Sequence, residues 1–283
     1  MITKYGKYCD YKIKAEIYGS VNEMVDLLKT RPITDTEFYD QQKKDIDRSW
    51  TGVGSYQEAL DLLKDGYQPV VKDLKTKLQT NITNDIKRMS FGNDVVGYAP
   101  IVPLVLQGVP KNMLNTRMKP IKSKVIDVYY DITCGCRTES SRIIENGKNV
   151  LGAIMDLEAQ GYKINLYSIQ TYSDRYGADV LIIKIKDSKQ PFDIKRMSFP
   201  LTHTAFFRVI GFDWYSKFPL GKYRSAYGHN IRVEHGEQKS TDIIRQLVGN
   251  DKAIVLFGSS ISHESQEHIK EMLKDESNNK SDR

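Results

Sequence analysis

Apolar residues recur at helical spacing in two early segments, and each segment opens on a capping signal. Ser20 and Glu23 have the spacing of a capping box, and the apolar positions of 21–28 follow it. Ser55 and Glu58 repeat this arrangement ahead of a second apolar pattern. The sequence therefore predicts helices that begin near residues 20 and 55.

Prolines decide how the next two apolar patterns are interpreted. Pro69 opens a helical pattern over 70–78, which predicts a third helix. The segment 95–109 is apolar, but Pro100 and Pro103 interrupt it. Because proline breaks helices and is tolerated in sheets only at edges or bulges, we predict a buried irregular segment there.

The pattern changes to alternating strands and helices in the second half of the chain. Apolar, β-branched and aromatic runs at 125–132, 163–171, 179–185 and 253–257 predict four strands. Helical patterns lie between most of them. This alternation predicts an α/β fold with a doubly wound, parallel-rich sheet in which the four strands lie side by side.

These patterns together predict two domains and a tail. The predicted units are a smaller mixed, mainly helical N-terminal domain at 1–110, a basic linker at 111–124, the α/β domain at 125–273 and a disordered tail at 274–283. The linker is predicted from its lysines and prolines, and the tail from its lack of apolar residues.

Composition narrows the class of protein. The chain has 283 residues, and 40% of them are apolar, which suffices for a hydrophobic core. Its net charge is +6. It contains no apolar run of the roughly 18 to 20 residues that a membrane span needs, so we expect no membrane partner. The N-terminus lacks an apolar leader, which predicts a cytoplasmic protein. Its three cysteines are too few for a disulfide framework.

A candidate cation site follows the first strand of the predicted α/β domain. Asp131 and Thr133 place a carboxylate and a hydroxyl where a parallel strand ends, and both offer oxygen ligands of the kind Mg²⁺ takes. This Asp-x-Thr motif resembles the metal-ion-dependent adhesion site of von Willebrand factor A-type domains, although Gly135 replaces its second serine. The resemblance implies a further threonine ligand from a loop that enters a helix, which is Thr202 or Thr204 here.

The resemblance spans about residues 125–273 and implies a degenerate A-type fold. The last aspartate of the family motif is absent, because Gly258 and Ser259 follow the final strand. We therefore expect no cofactor, or a weak Mg²⁺ site that water or a partner's carboxylate completes. An alternative stays open, in which Asp131 and Thr133 only cap the turn that follows them.

A second resemblance covers the whole chain. Trp50-Thr51-Gly52 and Gln107-Gly108-Val109-Pro110 are similar to segments of an uncharacterised family of tailed-phage and prophage proteins. This resemblance implies a viral origin, and therefore the host cytoplasm, and no known activity.

Other catalytic signatures fail on spacing. Cys134 and Cys136 lack a second Cys or His pair for zinc, and His263 and His268 are five apart where a zinc protease helix needs four. No phosphate-binding glycine loop follows the predicted first strand at 125–132. We therefore expect a binding function and not an enzyme.

A basic stretch at 184–232 supports a rival hypothesis. It holds ten Lys or Arg against three Asp, so it carries +7 where the whole chain carries +6. Tyrosines and phenylalanines are interleaved with these cations, a mixture suited to phosphate contact and base stacking. The alternative is a solvated basic rim. The predicted nucleic-acid residues are Lys195, Arg196, Arg208, Lys217, Lys222, Tyr223 and Arg224.

A heptapeptide, DIKRMSF, occurs at 85–91 and again at 193–199. The flanking residues do not match, so the sequence gives no evidence of a duplicated domain. Either the repeat is a coincidence, or both copies present one surface to the same partner.

Three functions remain open from the sequence. The leading hypothesis is a phage-type accessory protein that binds a protein partner at the carboxyl ends of its sheet, around Asp131, Thr133 and Thr202. The second is a nucleic-acid-binding protein that uses 184–232. The third is a metal-dependent hydrolase whose ligand set the sequence leaves incomplete. The oligomeric state is not predicted.

Overall fold

The computed structural model describes residues 1–8, 10–81, 90–117, 124–218, 230–261 and 264–279. The strands are β1 Ile2–Tyr8, β2 Tyr11–Tyr18, β3 Ser90–Asp94, β4 Ala99–Pro100, β5 Met113–Arg117, β6 Val125–Asp131, β7 Lys163–Ser173, β8 Gly177–Lys186 and β9 Ile254–Phe257.

The helices surround these strands. They are α1 Val21–Thr30, α2 Thr36–Lys44, α3 Arg48–Thr51, α4 Tyr56–Asp65, α5 Gln68–Asn81, α6 Val102–Leu106, α7 Ser140–Ala159, α8 Ile194–Thr202, α9 Phe212–Ser216, α10 Ile231–His235, α11 Glu237–Val248 and α12 Gln266–Asn279. A π-helical segment, Phe206–Gly211, leads into α9. None of the helices in the described ranges is both long enough and apolar enough to cross a bilayer.

The main sheet has six strands in the order β1-β2-β8-β7-β6-β9. Strand β6 runs parallel to β7 and β9, and β2 runs parallel to β8. The pairs β1–β2 and β7–β8 are antiparallel. The structure is therefore a mixed α/β fold with a mostly parallel sheet, and it confirms that the four predicted strands lie side by side.

Strands β1 and β2 correct the prediction for the N-terminal region. Residues assigned to a mainly helical domain instead form an edge of the main sheet, with β2 paired to β8. The strand pattern of β2 is hidden because both of its faces are buried and carry polar residues. Lys14 and Glu16 are buried there beside apolar neighbours. A strand whose two faces are covered does not show simple alternation.

Hydrophobic clusters cover both faces of the sheet. Tyr129 packs in one cluster with Ile243 of α11, whereas Tyr130 packs in the other with Leu151 of α7. Successive residues of a strand point to opposite faces, so α7 and α11 lie on opposite sides of the sheet. This sandwich fixes the ends of β6 and β9 between two helical layers.

The predicted capping boxes are confirmed. The Ser20 hydroxyl accepts from the Glu23 amide, and the Glu23 carboxylate accepts from Gly19 N–H. The start of α4 uses the same contacts, with Ser55 accepting from Glu58 N–H. The predicted third helix is also present, as α5.

The apolar segment 95–109 is not buried, which corrects the prediction. It forms α6 and β4, and β4 belongs to a small sheet of order β3-β5-β4. No residue from 92 to 115 is buried. The prediction assumed that an apolar run is covered by the rest of the chain. In the part of the chain that is described, no other element covers this run.

The C-terminal tail also differs from the prediction in its described part. Helix α12 continues to Asn279, where disorder was predicted from residue 274. Lys274 and Glu271 form an ion pair one turn apart, 3.8 Å between charged atoms, which suits an exposed helix end. Residues 280–283 lie outside the described ranges.

Candidate functional site at the carboxyl ends of the sheet

Asp131 is the centre of a hydrogen-bonded junction between β6 and β7. One carboxylate oxygen accepts from Thr133 N–H at 2.8 Å, and the other accepts from the Thr171 hydroxyl at 3.2 Å. The Thr133 hydroxyl in turn accepts from Thr171 N–H at 2.8 Å. The side-chain amide of Asn230 donates to the Thr133 carbonyl. The junction thus ties together two strand ends and the start of α10.

Burial dominates the electrostatics of this junction. Asp131 is 1% exposed, and burial raises its pKa to about 6 although its hydrogen bonds to Thr133 and Thr171 act in the opposite direction. These partners occupy both carboxylate oxygens. The hydrogen bond to Thr133 N–H is of the kind expected for the capping alternative, in which Asp131 shapes the turn after β6.

The other predicted cation ligands have different partners. The Thr202 hydroxyl donates to the Ser198 carbonyl within α8, and the Thr204 hydroxyl donates to the Thr51 carbonyl, both at 2.7 Å. Both side chains are buried. Among the described residues, no group of three or more His, Cys, Asp or Glu could hold a metal ion. The hydrogen bonds of Thr202 and Thr204 therefore support a structural role for both.

A pocket of about 110 Å³ opens where β6 and β9 end. It is on the α7 side of the sheet, because Tyr130 lines it and Asp131 points to the opposite face. Its walls come from the end of β6, the β6–α7 loop, the first turns of α7 and the turn after β9. The lining residues are Tyr130, Ile132, Cys134, Thr138, Arg142, Ile143, Asn146, Gly258 and Ser259.

The polar groups of this pocket suit an anion. Arg142 is exposed, and none of the described residues pairs with its guanidinium. The Tyr130 side chain is 1% exposed, yet its hydroxyl has no hydrogen-bond partner in the described ranges. No carboxylate lines the pocket in the part of the chain that is described.

Helix α7 begins beside this pocket. Its N-cap, Glu139, makes no side-chain capping hydrogen bond, and its first turn contains no acidic residue. The Glu139 carboxylate nevertheless lies at the start of this 20-residue helix and offsets part of the partial positive charge there. The pocket lies at that end of the helix, because Thr138 and Arg142 line it.

The β6–α7 loop is held in place by two residues from elsewhere in the fold. Arg208 donates to the carbonyls of Gly135 and Thr138, and Trp50 Nε1 donates to the Cys136 carbonyl at 2.9 Å. Arg208 also stacks on the Trp50 ring and donates to the Trp50 carbonyl. The pocket wall is therefore held in place by hydrogen bonds within the chain itself.

Two cysteines flank this wall. Cys134 is buried in the pocket lining, and burial raises its pKa to about 11, so its thiol is protonated at neutral pH. Cys136 is exposed. Neither belongs to a group of three or more His, Cys, Asp or Glu that could hold a metal ion among the described residues.

The predicted nucleic-acid surface is not assembled as the sequence suggested. Arg208 is 1% exposed, and both Nη atoms of its guanidinium donate to backbone carbonyls, so it is not available to a phosphate. Lys217 pairs with Asp213 at 2.9 Å and donates to the Leu28 carbonyl. Lys222, Tyr223 and Arg224 lie outside the described residues.

The aromatic residues at the end of the same stretch belong to the core. Tyr215 stacks on Tyr172 with ring centroids 4.2 Å apart, and Phe218 packs against Trp214. Both are buried and cannot stack on a base. An aromatic residue in a basic stretch gives no sign of whether it packs inward or outward.

Lys195 and Arg196 are exposed and line a different feature, a cleft of about 620 Å³ between α1, α4 and α8. Lys29 and Lys64 contribute further cations, and Leu60 forms part of an apolar floor. The second copy of the heptapeptide supplies this wall of the cleft. Its Asp193 caps α8 by accepting from Arg196 N–H. Most of the first copy lies outside the described ranges.

The sequence predicted a site at the carboxyl ends of the sheet, where this pocket lies, but assigned no binding role to the residues that line it. Asp131 identifies where β6 ends, and Tyr130 is its neighbour on the opposite face. Arg142 enters only because the first turns of α7 face the turn after β9. A search for exposed cations in the helix that follows a strand end would have included it.

Comparison with known proteins identifies a family but no activity. Residues 5–278 match a family model described as Domain of unknown function (DUF7192). No curated protein and no solved structure matches the chain.

Proposed function

We propose that this chain, which belongs to the DUF7192 family of domains of unknown function, is a protein-binding module. Its pocket at the carboxyl ends of β6 and β9 holds one acidic side chain of the partner. The surrounding rim of the β6–α7 loop supplies the rest of the contact.

The size of the pocket carries this proposal. A volume of about 110 Å³ is well below the roughly 300 to 1,000 Å³ of pockets that enclose a whole small molecule. It suits a single side chain presented by a larger partner. A preformed pocket that accepts one anchoring side chain is a common centre of a protein interface. This favours binding over catalysis.

The chemistry of the lining selects the acidic side chain. Arg142 supplies a guanidinium that can pair with a carboxylate, and the Tyr130 hydroxyl can donate a second hydrogen bond. The Ser259 hydroxyl adds another polar group, which already accepts from Arg232 at 3.3 Å. A basic or apolar anchor would leave Arg142 unpaired.

We also propose that the fold is a degenerate A-type arrangement and that the protein is of phage type. A degenerate, doubly wound A-type arrangement is supported by the two parallel neighbours of β6, which are β7 and β9, and by helices on both faces of the sheet. The antiparallel β7–β8 pair and the added β1–β2 edge make it an unusual example. A phage-type accessory role in the host cytoplasm rests on the resemblance of the sequence, and any Mg²⁺ binding should be weak.

Affinity capture tests the pocket directly. The full chain serves as bait in lysate from the cells that carry its gene, beside the variants Arg142→Glu and Lys252→Glu. Lys252 is exposed at the opposite end of the sheet, where β9 begins, so it controls for charge reversal alone. We expect a captured protein that cross-links near residues 134–146 and is lost with Arg142→Glu only. Equal capture by wild type and Arg142→Glu would contradict the proposal.

A nucleic-acid function remains a second candidate because four of the residues that line the cleft are cations. Lys64, Lys195 and Arg196 line it together with Lys29, which pairs with Asp26 at 2.7 Å. The cations outnumber the two carboxylates of the lining, so more than one phosphate could be contacted. None of the cleft residues described is aromatic, which favours backbone contact without base stacking.

Fluorescence anisotropy with a single-stranded oligonucleotide tests this candidate. For each cation that contacts a phosphate, removal should reduce the slope of log K against log salt by about 0.7. Lys195→Gln and Arg196→Gln should each show this change, and Lys252→Gln should not. Absence of binding at micromolar protein and low salt would exclude it.

A further inference from the structure

The segment that includes β4 and α6 carries an apolar surface that no other described element covers. Six large apolar side chains are 44 to 82% exposed within twelve residues, and they form what we call the 95–106 surface. They are Val95, Val96, Tyr98, Val102, Val105 and Leu106. Isolated exposed apolar residues are ordinary, but a cluster of this kind marks an interaction site.

This surface belongs to a segment without buried residues. No residue between 92 and 115 is buried, and α6 is exposed along its whole length except for partial cover of Leu104. The backbone is nevertheless ordered by specific bonds. Tyr98 N–H donates to the Leu114 carbonyl, and Ile101 N–H donates to the Asn112 carbonyl. Apolar side chains that are exposed on a hydrogen-bonded backbone can be covered by a partner without a large change in the backbone.

The charge of the surface narrows the choice of partner. From Val95 to Val109 the sequence contains no charged side chain, although the chain as a whole carries +6. A nucleic acid, an anionic bilayer or an acidic protein would be met by cations, as electrostatic complementarity requires. A neutral, apolar partner fits, and the same surface on a second copy has those properties.

The strand order adds a way for two copies to pair. In the small sheet β5 is central, so β3 and β4 are outer strands, and neither pairs with a further strand among the described residues. Open strand edges pair readily with another chain. Two identical edges can do so around a two-fold axis, the commonest symmetry of protein dimers.

We propose that the 95–106 surface is the interface of a homodimer. The inference is independent of the carboxyl-end pocket, which lies on other elements. The six side chains alone offer less apolar area per copy than the roughly 800 Å² that each partner buries in a standard interface. Edge pairing must therefore contribute, and the dissociation constant should be on the order of micromolar.

Sedimentation velocity of the full chain over about 1 to 200 µM tests the inference. We expect a concentration-dependent dimer that high salt does not dissociate, since apolar contacts are not screened. Leu106→Asp and Val96→Asp should each weaken association by about 10- to 100-fold. Val233→Asp, at an exposed apolar residue of α10, should dimerise like wild type.

Loss of association can be distinguished from misfolding, because the substituted side chains are exposed. The variants should therefore keep the circular dichroism spectrum and Tm of the wild type. A wild-type chain that stays monomeric to 200 µM would overturn the inference. So would a dimer that survives both substitutions together. Wild-type monomers that sediment with phosphatidylserine vesicles would assign the surface to a membrane and would equally overturn it.

Discussion

At the scale of single residues, two buried aspartates differ in whether their carboxylate oxygens are hydrogen-bonded. Asp131 is buried with both oxygens hydrogen-bonded, whereas both oxygens of Asp179 lack a hydrogen-bond partner within the described residues. Burial raises the pKa of Asp179 to about 7, and the nearby charge of Lys14 only partly offsets this. Burying a carboxylate without hydrogen bonds favours its neutral form.

The raised pKa of Asp179 makes stability depend on pH. An unfolded aspartate has a pKa near 3.9. Because the folded pKa is higher, the contribution of Asp179 is fully present below about pH 4 and is lost as pH rises through about 7. Asparagine cannot ionise. We expect Asp179→Asn to unfold with a free energy higher than that of wild type at pH 8 by on the order of 2 to 4 kcal/mol, and similar at pH 4.

Urea unfolding of both proteins at pH 4, 6 and 8 measures this difference. Asp251→Asn is the matched control, since Asp251 is exposed on the turn before β9. The control should leave the pH dependence as in wild type. A difference between Asp179→Asn and wild type that does not change with pH would show that Asp179 does not titrate as proposed.

At the scale of elements, the approach of α7 to α8 controls how the α7 layer sits on the sheet. A Cβ atom added at Gly147 would lie 2.0 Å from the Leu201 carbonyl oxygen and 2.7 Å from Thr202 Cα. Both are backbone atoms of α8, which cannot rotate away. Glycine is therefore required here for close helix packing, although it lowers helix propensity.

Gly147→Ala tests whether packing or propensity prevails. Alanine favours an exposed helix by about 1 kcal/mol, but overpacking against a backbone costs about 1 to 3 kcal/mol or more. We expect a net loss of about 1 to 2 kcal/mol in the free energy of unfolding, measured in urea. Glu145→Ala, on the exposed side of α7, should change it by less than about 0.5 kcal/mol. A stabilised Gly147→Ala would mean that α8 can move aside.

Local signals in the sequence predicted some elements and could not predict others. The capping boxes at Ser20 and Ser55 predicted α1 and α4 because their hydrogen bonds are made within four residues. The strand β2 was not predicted because two partners of its buried Glu16, Arg31 and Trp214, are distant in sequence. The exposure of 95–109 escaped for the same reason, since burial depends on what the rest of the fold covers.

The candidate site shows the same limit. Asp131 and its place at the end of β6 could be predicted, because an apolar run ends there. Its use as a hydrogen-bonded junction depends on Thr171 from β7, which only the folded sheet brings near. Arg142 joins the pocket through the packing of α7 beside β9, and no local pattern specifies that packing.

At the scale of the whole molecule, contacts cross the predicted boundary between domains. Strand β2 lies between β1 and β8, with register pairs from Lys12 with Gly177 to Tyr18 with Ile183. Glu16 accepts hydrogen bonds from Arg31, from the Tyr18 hydroxyl and from Trp214 Nε1 at 2.9 Å. One hydrophobic cluster includes residues from both halves. The two halves should therefore unfold together.

Separating the halves tests that expectation. A fragment of residues 111–283 would expose the edge of β8 and remove the buried carboxylate partner of Trp214, so unpaired strand edge and apolar surface would face solvent together. We expect the fragment to be aggregated, or to unfold at lower urea concentration and with a smaller m-value than the full chain. Co-expression with residues 1–110 should restore a single cooperative transition. An isolated fragment that unfolds at the same midpoint as the full chain would instead support the boundary at 111–124.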